Sequence, residues 1–168
     1  MIQFLLARGK DSPSLTFEDV YERQVEMVYR VCFSYMKNTA DAEDITSQVF
    51  EKLLKHGLGL KSQEHEKAWL LRVAINLCKN HLKSWRRSSV NIDDYENIEY
   101  VDAFPDMDLL KMVFDLPEHY KDVIYLYYYE GYSTAEVAEI LQKPQSTIRR
   151  HMREARILLK GVLEDEER

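Results

Sequence analysis

Apolar residues recur at steps of three and four along most of the chain, and no stretch shows the apolar–polar alternation of a half-buried strand. Phe17, Val20, Tyr21, Val28, Val31, Cys32 and Tyr35 make the first stripe, about five turns long, opened by Thr16 as N-cap. Thr39 is expected to cap a second helix, with Asp41, Glu43 and Asp44 against its positive dipole end. Its apolar face is Ile45, Val49, Phe50, Leu53 and Leu54, and Lys52, Lys55 and His56 followed by Gly57 supply the stop. The glycine-bearing stretch His56 to Glu66 reads as a loop. A third helix, from about Lys67 to Arg87, turns Trp69, Leu70, Val73, Ala74, Leu77, Cys78, Leu82 and Trp85 inward. It leaves Arg72, Asn76, Lys79, Asn80, Lys83, Arg86 and Arg87 largely on other faces.

The periodicity fades between Ser88 and Asp106 and then resumes. A short helix over Met107 to Leu116 is followed by one that begins on Pro117 and stops at Gly131. Ser133 to Glu136, S-T-A-E, is a capping box for a helix carrying Val137, Ala138 and Leu141. Lys143 and Pro144 break the chain before a last helix that runs to about Leu163. The pattern predicts an all-α chain of two small helical bundles, residues 17–87 and 107–163, joined by an acidic flexible linker over 88–106.

Composition changes this picture only through where the charges lie. With 168 residues, 45% hydrophobic and 31% charged, the chain can build a core. The net charge of −6 argues against nucleic acid until it is divided along the chain. Lys79, Lys83, Arg86 and Arg87, with His81, sit among no acids between residues 79 and 87, whereas Asp93 to Asp108 holds seven acids and no base. From Lys143 to Lys160 six basic residues face one acid, Glu154. Two cationic islands are thus separated by an anionic bridge.

Cys32 and Cys78 have neither the spacing of a zinc site nor that of a disulfide framework. His56 and His65 flank the loop without a carboxylate or cysteine at ligand spacing, so no metal and no cofactor is expected. The apolar stretch Phe4 to Ala7 is too short for a signal-peptide core, and no run approaches the roughly 20 residues of a membrane span. A cytoplasmic protein without membrane insertion is expected. No nucleotide loop, nucleophile triad or catalytic carboxylate pair can be singled out, so an enzyme is not expected. The tyrosines Tyr120, Tyr125, Tyr127, Tyr128, Tyr129 and Tyr132 receive no chemical role.

Residues 133–156 read as a helix-turn-helix, with Ala138 small at the crossing and Leu141, Ile148 and Met152 filling the space between the helices. Ile148, Met152, Ala155 and Leu159 follow steps of four, three and four. Arg149, Arg153, Arg156 and Lys160 repeat those steps one residue on, laying a basic stripe beside the buried one. Gln145, Ser146, Thr147, Arg149 and Arg150 occupy the first turns, the part of a recognition helix that reaches base edges.

Residues 116–159 carry L-P-x-x-Y-x-x-V-I-x-L, S-x-x-E-V-A-x-x-L and T-I-R-x-x-x-x-x-A-R in order, and this stretch resembles region 4 of the extracytoplasmic-function sigma factors of the sigma-70 family. The resemblance implies recognition of the minus-35 promoter element through Gln145, Ser146, Thr147, Arg149, Arg150, Arg153 and Arg156, with Ser146 where the family often has Gly. Residues 41–50, DAEDITSQVF, are similar to the family's region 2.2, which implies docking on the core RNA polymerase through Asp41, Asp44, Ser47, Gln48 and Glu51. Residues 69–87 resemble regions 2.3 and 2.4. That likeness implies capture of the minus-10 element by Arg72, Asn76, Lys79, Asn80, Lys83, Arg86 and Arg87, beside a base pocket in the loop His56 to Glu66. Ile75 stands where the family often has Arg. The implied partners are core RNA polymerase, promoter DNA and an inhibitory anti-sigma factor. The residues alone leave open a stand-alone helix-turn-helix regulator with a dimerising or sensing N-terminal module, and a purely protein-binding helical adaptor.

Overall fold

The computed structural model describes residues 16–88 and 108–166; Ser88, predicted as the first linker residue, is helical, and the rest of that linker, Met107 and residues 1–15 lie outside the described residues. Every regular element among the described residues is helical, and they fall into two compact units that divide between Ala103 and Phe104. The all-α expectation holds.

The first unit is built from α1 (Phe17–Met36), α2 (Thr39–His56) and α3 (Gln63–Ser88). Thr16 starts α1 as expected: its side chain accepts from the Asp19 N–H at 3.1 Å while Asp19 Oδ2 accepts from the Thr16 N–H at 3.2 Å. The cap of α2 is Asn38 and not Thr39. Asn38 has extended backbone (φ −144°, ψ 150°), and its Oδ1 accepts from the Asp41 N–H at 2.9 Å. Gly57 closes α2 with φ 88°, donating to Leu53 O at 2.9 Å.

The loop is shorter than its composition implied. Ser62 Oγ accepts from the His65 N–H at 3.1 Å and Ser62 O from the Glu66 N–H at 2.9 Å, so α3 begins at Gln63 and only residues 57–62 connect the helices. Leu60, 5% exposed, pins that connection to the core. Of the expected inward face of α3, Leu70, Ala74, Cys78 and Leu82 are buried, and the enclosed arc extends past it on one side. Trp69, Val73, Leu77 and Trp85 are half-buried, while Leu71, Ile75, Cys78 and Leu82, at steps of four, three and four, are buried. Both α1 and α2 pack on α3, and two neighbours require a wider arc than one stripe supplies. On the other helices Tyr21 and Leu54 lie exposed at the edge of their stripes.

A carboxylate is enclosed in this unit. Glu66, 2% exposed, accepts from Arg23 Nη2 at 2.9 Å and Gln24 Nε2 at 3.3 Å, tying the start of α3 to α1. The thiols of Cys32 and Cys78, unrelated by sequence spacing, meet in the core, and the hydrogen bond from Cys78 holds the Cys32 thiol below its ordinary pKa against the effect of burial.

The second unit comprises α4 (Asp108–Asp115), α5 (Glu118–Ile124), a π-helical turn (Tyr125–Tyr129), α6 (Thr134–Leu141) and α7 (Gln145–Glu166). Pro117 is the N-cap of α5 and not its first helical residue. Its ψ of 144° is extended, and its carbonyl accepts from the N–H groups of Tyr120 and Lys121 at 2.9 and 3.0 Å. The helix expected to reach Gly131 unwinds into the π turn, where the Glu130 N–H reaches Tyr125 O at 3.2 Å. Gly131 then takes φ 73°.

The capping box at Ser133 and Glu136 forms with both bonds in place, at 3.3 and 2.7 Å. At the far end of α6, Gln142 adopts left-handed φ 53° and the Lys143 N–H reaches back to Ala138 O at 3.0 Å, a Schellman turn without glycine. Ile148 and Met152 are buried as expected, as is Ile140, whereas Leu141 is half-buried. Asp122 is enclosed in the same core, and burial holds its carboxyl well above the ordinary range, opposed in part by Lys143.

Glu66→Ala removes the buried carboxylate to which Arg23 and Gln24 both donate, and we expect a loss of about 1.5–3 kcal/mol, measured by urea denaturation followed on Trp69 and Trp85.

Candidate nucleic-acid and polymerase interfaces

Three apolar residues set the rotation of α7. Ile148 and Ala155 are 0% exposed and Met152 is 4%, so the face one residue on must look outward. Arg149, Arg150, Arg153, Arg156 and Lys160 are all exposed there, Ser146 is exposed, and Gln145 and Thr147 are half-buried. The expected seam is incomplete at one end, because Leu159 is only half-buried. The start of α7 is closed by backbone: the Pro144 carbonyl accepts from Thr147 and Ile148 N–H at 3.0 and 3.2 Å. Gln145 Nε2 donates to Thr134 Oγ1 at 3.1 Å, which fastens this candidate base reader to the first residue of α6 and leaves its amide oxygen as an acceptor.

The acid within the stripe is engaged from behind. Glu154 accepts from Tyr120 OH at 3.1 Å, and that bond raises the Tyr120 pKa. His151, 8% exposed, packs its ring 5.0 Å from His119 and 5.8 Å from Tyr120. Burial, then the nearby charges of His119, Lys143 and Arg150, push its pKa below the ordinary value, with Glu154 opposing.

In the first unit Asn76, Asn80, Lys83 and Arg87 lie along α3 at steps of four, three and four, and all four are exposed, as is Arg86. Arg72 and Lys79 flank that row half-buried. Ile75 is 3% exposed and belongs to the core. At the head of the row the His56 and Trp69 rings stack at 4.8 Å and 26°, across the connection 57–62. His65 Nδ1 accepts from the Lys61 N–H at 3.3 Å, and burial with the charges of Lys61 and Arg72 lowers its pKa.

On α2 the candidates divide. Asp44 and Glu51 are exposed, and Gln48 Nε2 donates to Asp44 Oδ2 at 2.8 Å, which presents the pair as one hydrogen-bonding unit. Ser47 is exposed, its hydroxyl donating to Glu43 O at 3.0 Å. Asp41 is drawn into the cap, accepting from Asn38 Nδ2 at 2.9 Å with His81 Nε2 4.0 Å away. A groove between α1 and α2, lined by Tyr21, Val25, Tyr29 and Thr46 among others, adjoins Ser47.

Residues 20–88 match the family Sigma-70 region 2, and residues 106–159 match Sigma-70, region 4. The chain belongs to the sigma-70 family. Among its curated relatives, the RNA polymerase sigma factor SigV of Bacillus subtilis (strain 168) is 28% identical over 144 residues, covering 83% of this chain and 86% of that one. The ECF RNA polymerase sigma-E factor of Haemophilus influenzae is 27% identical over 180 residues, covering 96% and 95%. The fold is that of the sigma factor RpoE of Bartonella quintana, solved in complex with the anti-sigma factor NepR (TM-score 0.66, 20% identity, 88% of this chain and 96% of that one). It is also similar to CnrH, solved with the cytosolic domain of CnrY (TM-score 0.60, 16% identity, 97% and 94%).

This sigma factor of the extracytoplasmic-function group therefore works with core RNA polymerase and directs promoter-specific initiation. The match at region 2 decides against the stand-alone regulator. No helix among the described residues is long and apolar enough to cross a membrane, and no cluster of three or more metal-ligating groups occurs among them. Sequence reasoning missed Thr134, Tyr128 and the His56–Trp69 stack, because each acts through a contact between elements that no periodicity encodes.

The depressed pKa of His151 has a definite sign: the folded state disfavours the proton, so its stabilising contribution is complete above the unfolded value of about 6.5 and is lost as pH falls toward the folded value. Asp122 works oppositely, its raised pKa costing stability as pH rises above the unfolded carboxylate range. Between pH 7.5 and 5.5, amide exchange in α5 and α7 should accelerate in the wild type relative to His151→Phe, while Asp122→Asn should gain protection over the wild type as pH rises.

Proposed function

We propose that the two units meet one promoter while polymerase holds both. On this reading residues 17–87 form the region-2 module, 88–106 the linker and 107–163 the region-4 module. In α2, Asp44, Ser47, Gln48 and Glu51 face the polymerase, with Asp41 holding the helix start in place. In α3, Asn76 and Asn80 reach base edges of the opened minus-10 element. Arg72, Lys79, Lys83, Arg86 and Arg87 follow its backbone. In α7, Gln145, Ser146, Thr147, Arg149 and Arg150 read the minus-35 element in the major groove, and Arg153 and Arg156 meet phosphates.

The observation that carries this reading is the exposed cationic row on one helix of each unit, rotated outward by a buried apolar row of the same period. Opening a duplex needs no bond chemistry: captured bases and held phosphates offset the few kcal/mol of lost stacking. The protein is then a cytoplasmic, non-catalytic initiation subunit, and an anti-sigma factor that covers these faces is its expected inhibitor. With a net charge of −6 the free chain binds DNA weakly, and the polymerase supplies the effective concentration.

In a pull-down with purified core polymerase, a one-to-one complex forms and Asp44→Arg weakens it roughly tenfold or more, on the scale of one to two lost charge-assisted contacts. Arg149→Ala leaves that complex intact and costs about 1–3 kcal/mol of promoter discrimination, read as lost run-off transcript. Core enzyme that ignores the chain, or initiates at the same places without it, refutes the proposal.

A further inference from the structure

Consecutive side chains on an α-helix point about 100° apart and do not share a partner. Tyr127 and Tyr128, both in the π turn, depart from that rule: their rings stand 5.0 Å apart at 77°, and both approach the guanidinium of Arg156. The Arg156 Cζ is 5.7 Å from the Tyr128 centroid and 6.0 Å from that of Tyr127, and Arg156 Nε donates to Tyr128 OH at 2.9 Å. The contact spans 28 residues and joins the π turn to the basic stripe of α7. Tyr128 itself is 55% exposed, so burial of its ring does not explain the arrangement.

A long, exposed arginine normally samples many rotamers, and ordering it on a phosphate costs that freedom. Here one nitrogen is already held, and both rings lie within about 6 Å of the guanidinium carbon. The two terminal nitrogens keep no hydrogen-bond partner among the described residues. They form the planar fork that matches a phosphate. Within the row Arg149, Arg153, Arg156 and Lys160, this brace from the tyrosine run falls on Arg156.

We infer that Tyr128, aided by Tyr127, is a positioning residue that fixes Arg156 for one phosphate at the flank of the recognition helix. This rests on the reading that α7 faces DNA and adds a component from outside the helix-turn-helix. That component sits in the π turn.

The full chain is titrated onto a mixed-sequence DNA duplex, with anisotropy read over a range of salt. Arg156→Ala lowers the slope of log K against log salt by about 0.9. Tyr128→Phe keeps the ring and the slope but weakens binding roughly two- to fivefold, the scale of one exposed brace. Arg156→Lys retains the slope, because the charge remains, and abolishes the dependence on the Tyr128 hydroxyl, because the donor at Nε is gone. In the Arg156→Ala background Tyr128→Phe costs nothing further. Melting temperatures of all variants match, since both side chains are exposed.

The inference is overturned if Tyr128→Phe loses the same factor with or without Arg156, which would make the phenol a direct contact or a fold element. It is likewise overturned if Arg156→Ala leaves the slope unchanged while Arg149→Ala reduces it. Should Arg149→Ala and Arg156→Ala both leave the slope untouched, the DNA-facing assignment of α7 fails together with it.

Discussion

A helix that is anchored in a small bundle and also offered to a polyanion has its rotation decided by the anchor. In α7 that anchor is Ile148, Met152 and Ala155, and their enclosure turns Arg149, Arg153 and Arg156 outward whether or not DNA is present. Exposed cations contribute little to stability by themselves, so the core sets the direction and the charges inherit it. The same logic governs α3, where Leu71, Ile75, Cys78 and Leu82 determine that Asn76, Asn80, Lys83 and Arg87 face solvent. Two bundles with unrelated packing thereby reach the same result.

Charge in this protein is a local quantity. At physiological ionic strength the influence of an exposed group fades over roughly 8 Å, so the net charge of −6 does not describe the face that α7 presents. Within each unit the acids near the cationic rows are tied down, as Glu154 is by Tyr120 and Asp41 by Asn38. Buried ions obey a different rule: Glu66 is tolerated because Arg23 and Gln24 both donate to it, which fixes how α1 lies against the start of α3.

Helices, their order and the helix-turn-helix are legible in the sequence because period and capping chemistry act over short distances; the box at Ser133 and Glu136 needs only three residues' separation. The cap of α2 lies one residue earlier than the pattern suggests, since Asn38 and Thr39 are both competent and only backbone angles distinguish them. Ser62 is hidden as a cap by the glycines before it, which signal a loop. The inward face of α3 departs from the simple stripe for a tertiary reason, two packing partners instead of one. Among the site residues, the outward rows can be read from steps of three and four. The brace on Gln145 from Thr134, eleven residues away, cannot. Ile75 shows the reverse case, a family position whose occupant has joined the core.

A π turn arises when a regular helix accommodates one surplus residue without disturbing the elements beyond it. Tyr125–Tyr129 occupies such a place, with the left-handed Gly131 next to it to absorb a change in direction. Loss of one residue here would restore ordinary helical bonding and leave the later caps, corner and seam in phase. Chain length in this unit is therefore negotiable at the tyrosine run and rigid at the three-residue corner between α6 and α7, so insertions and deletions among descendants of this sequence should gather at the former.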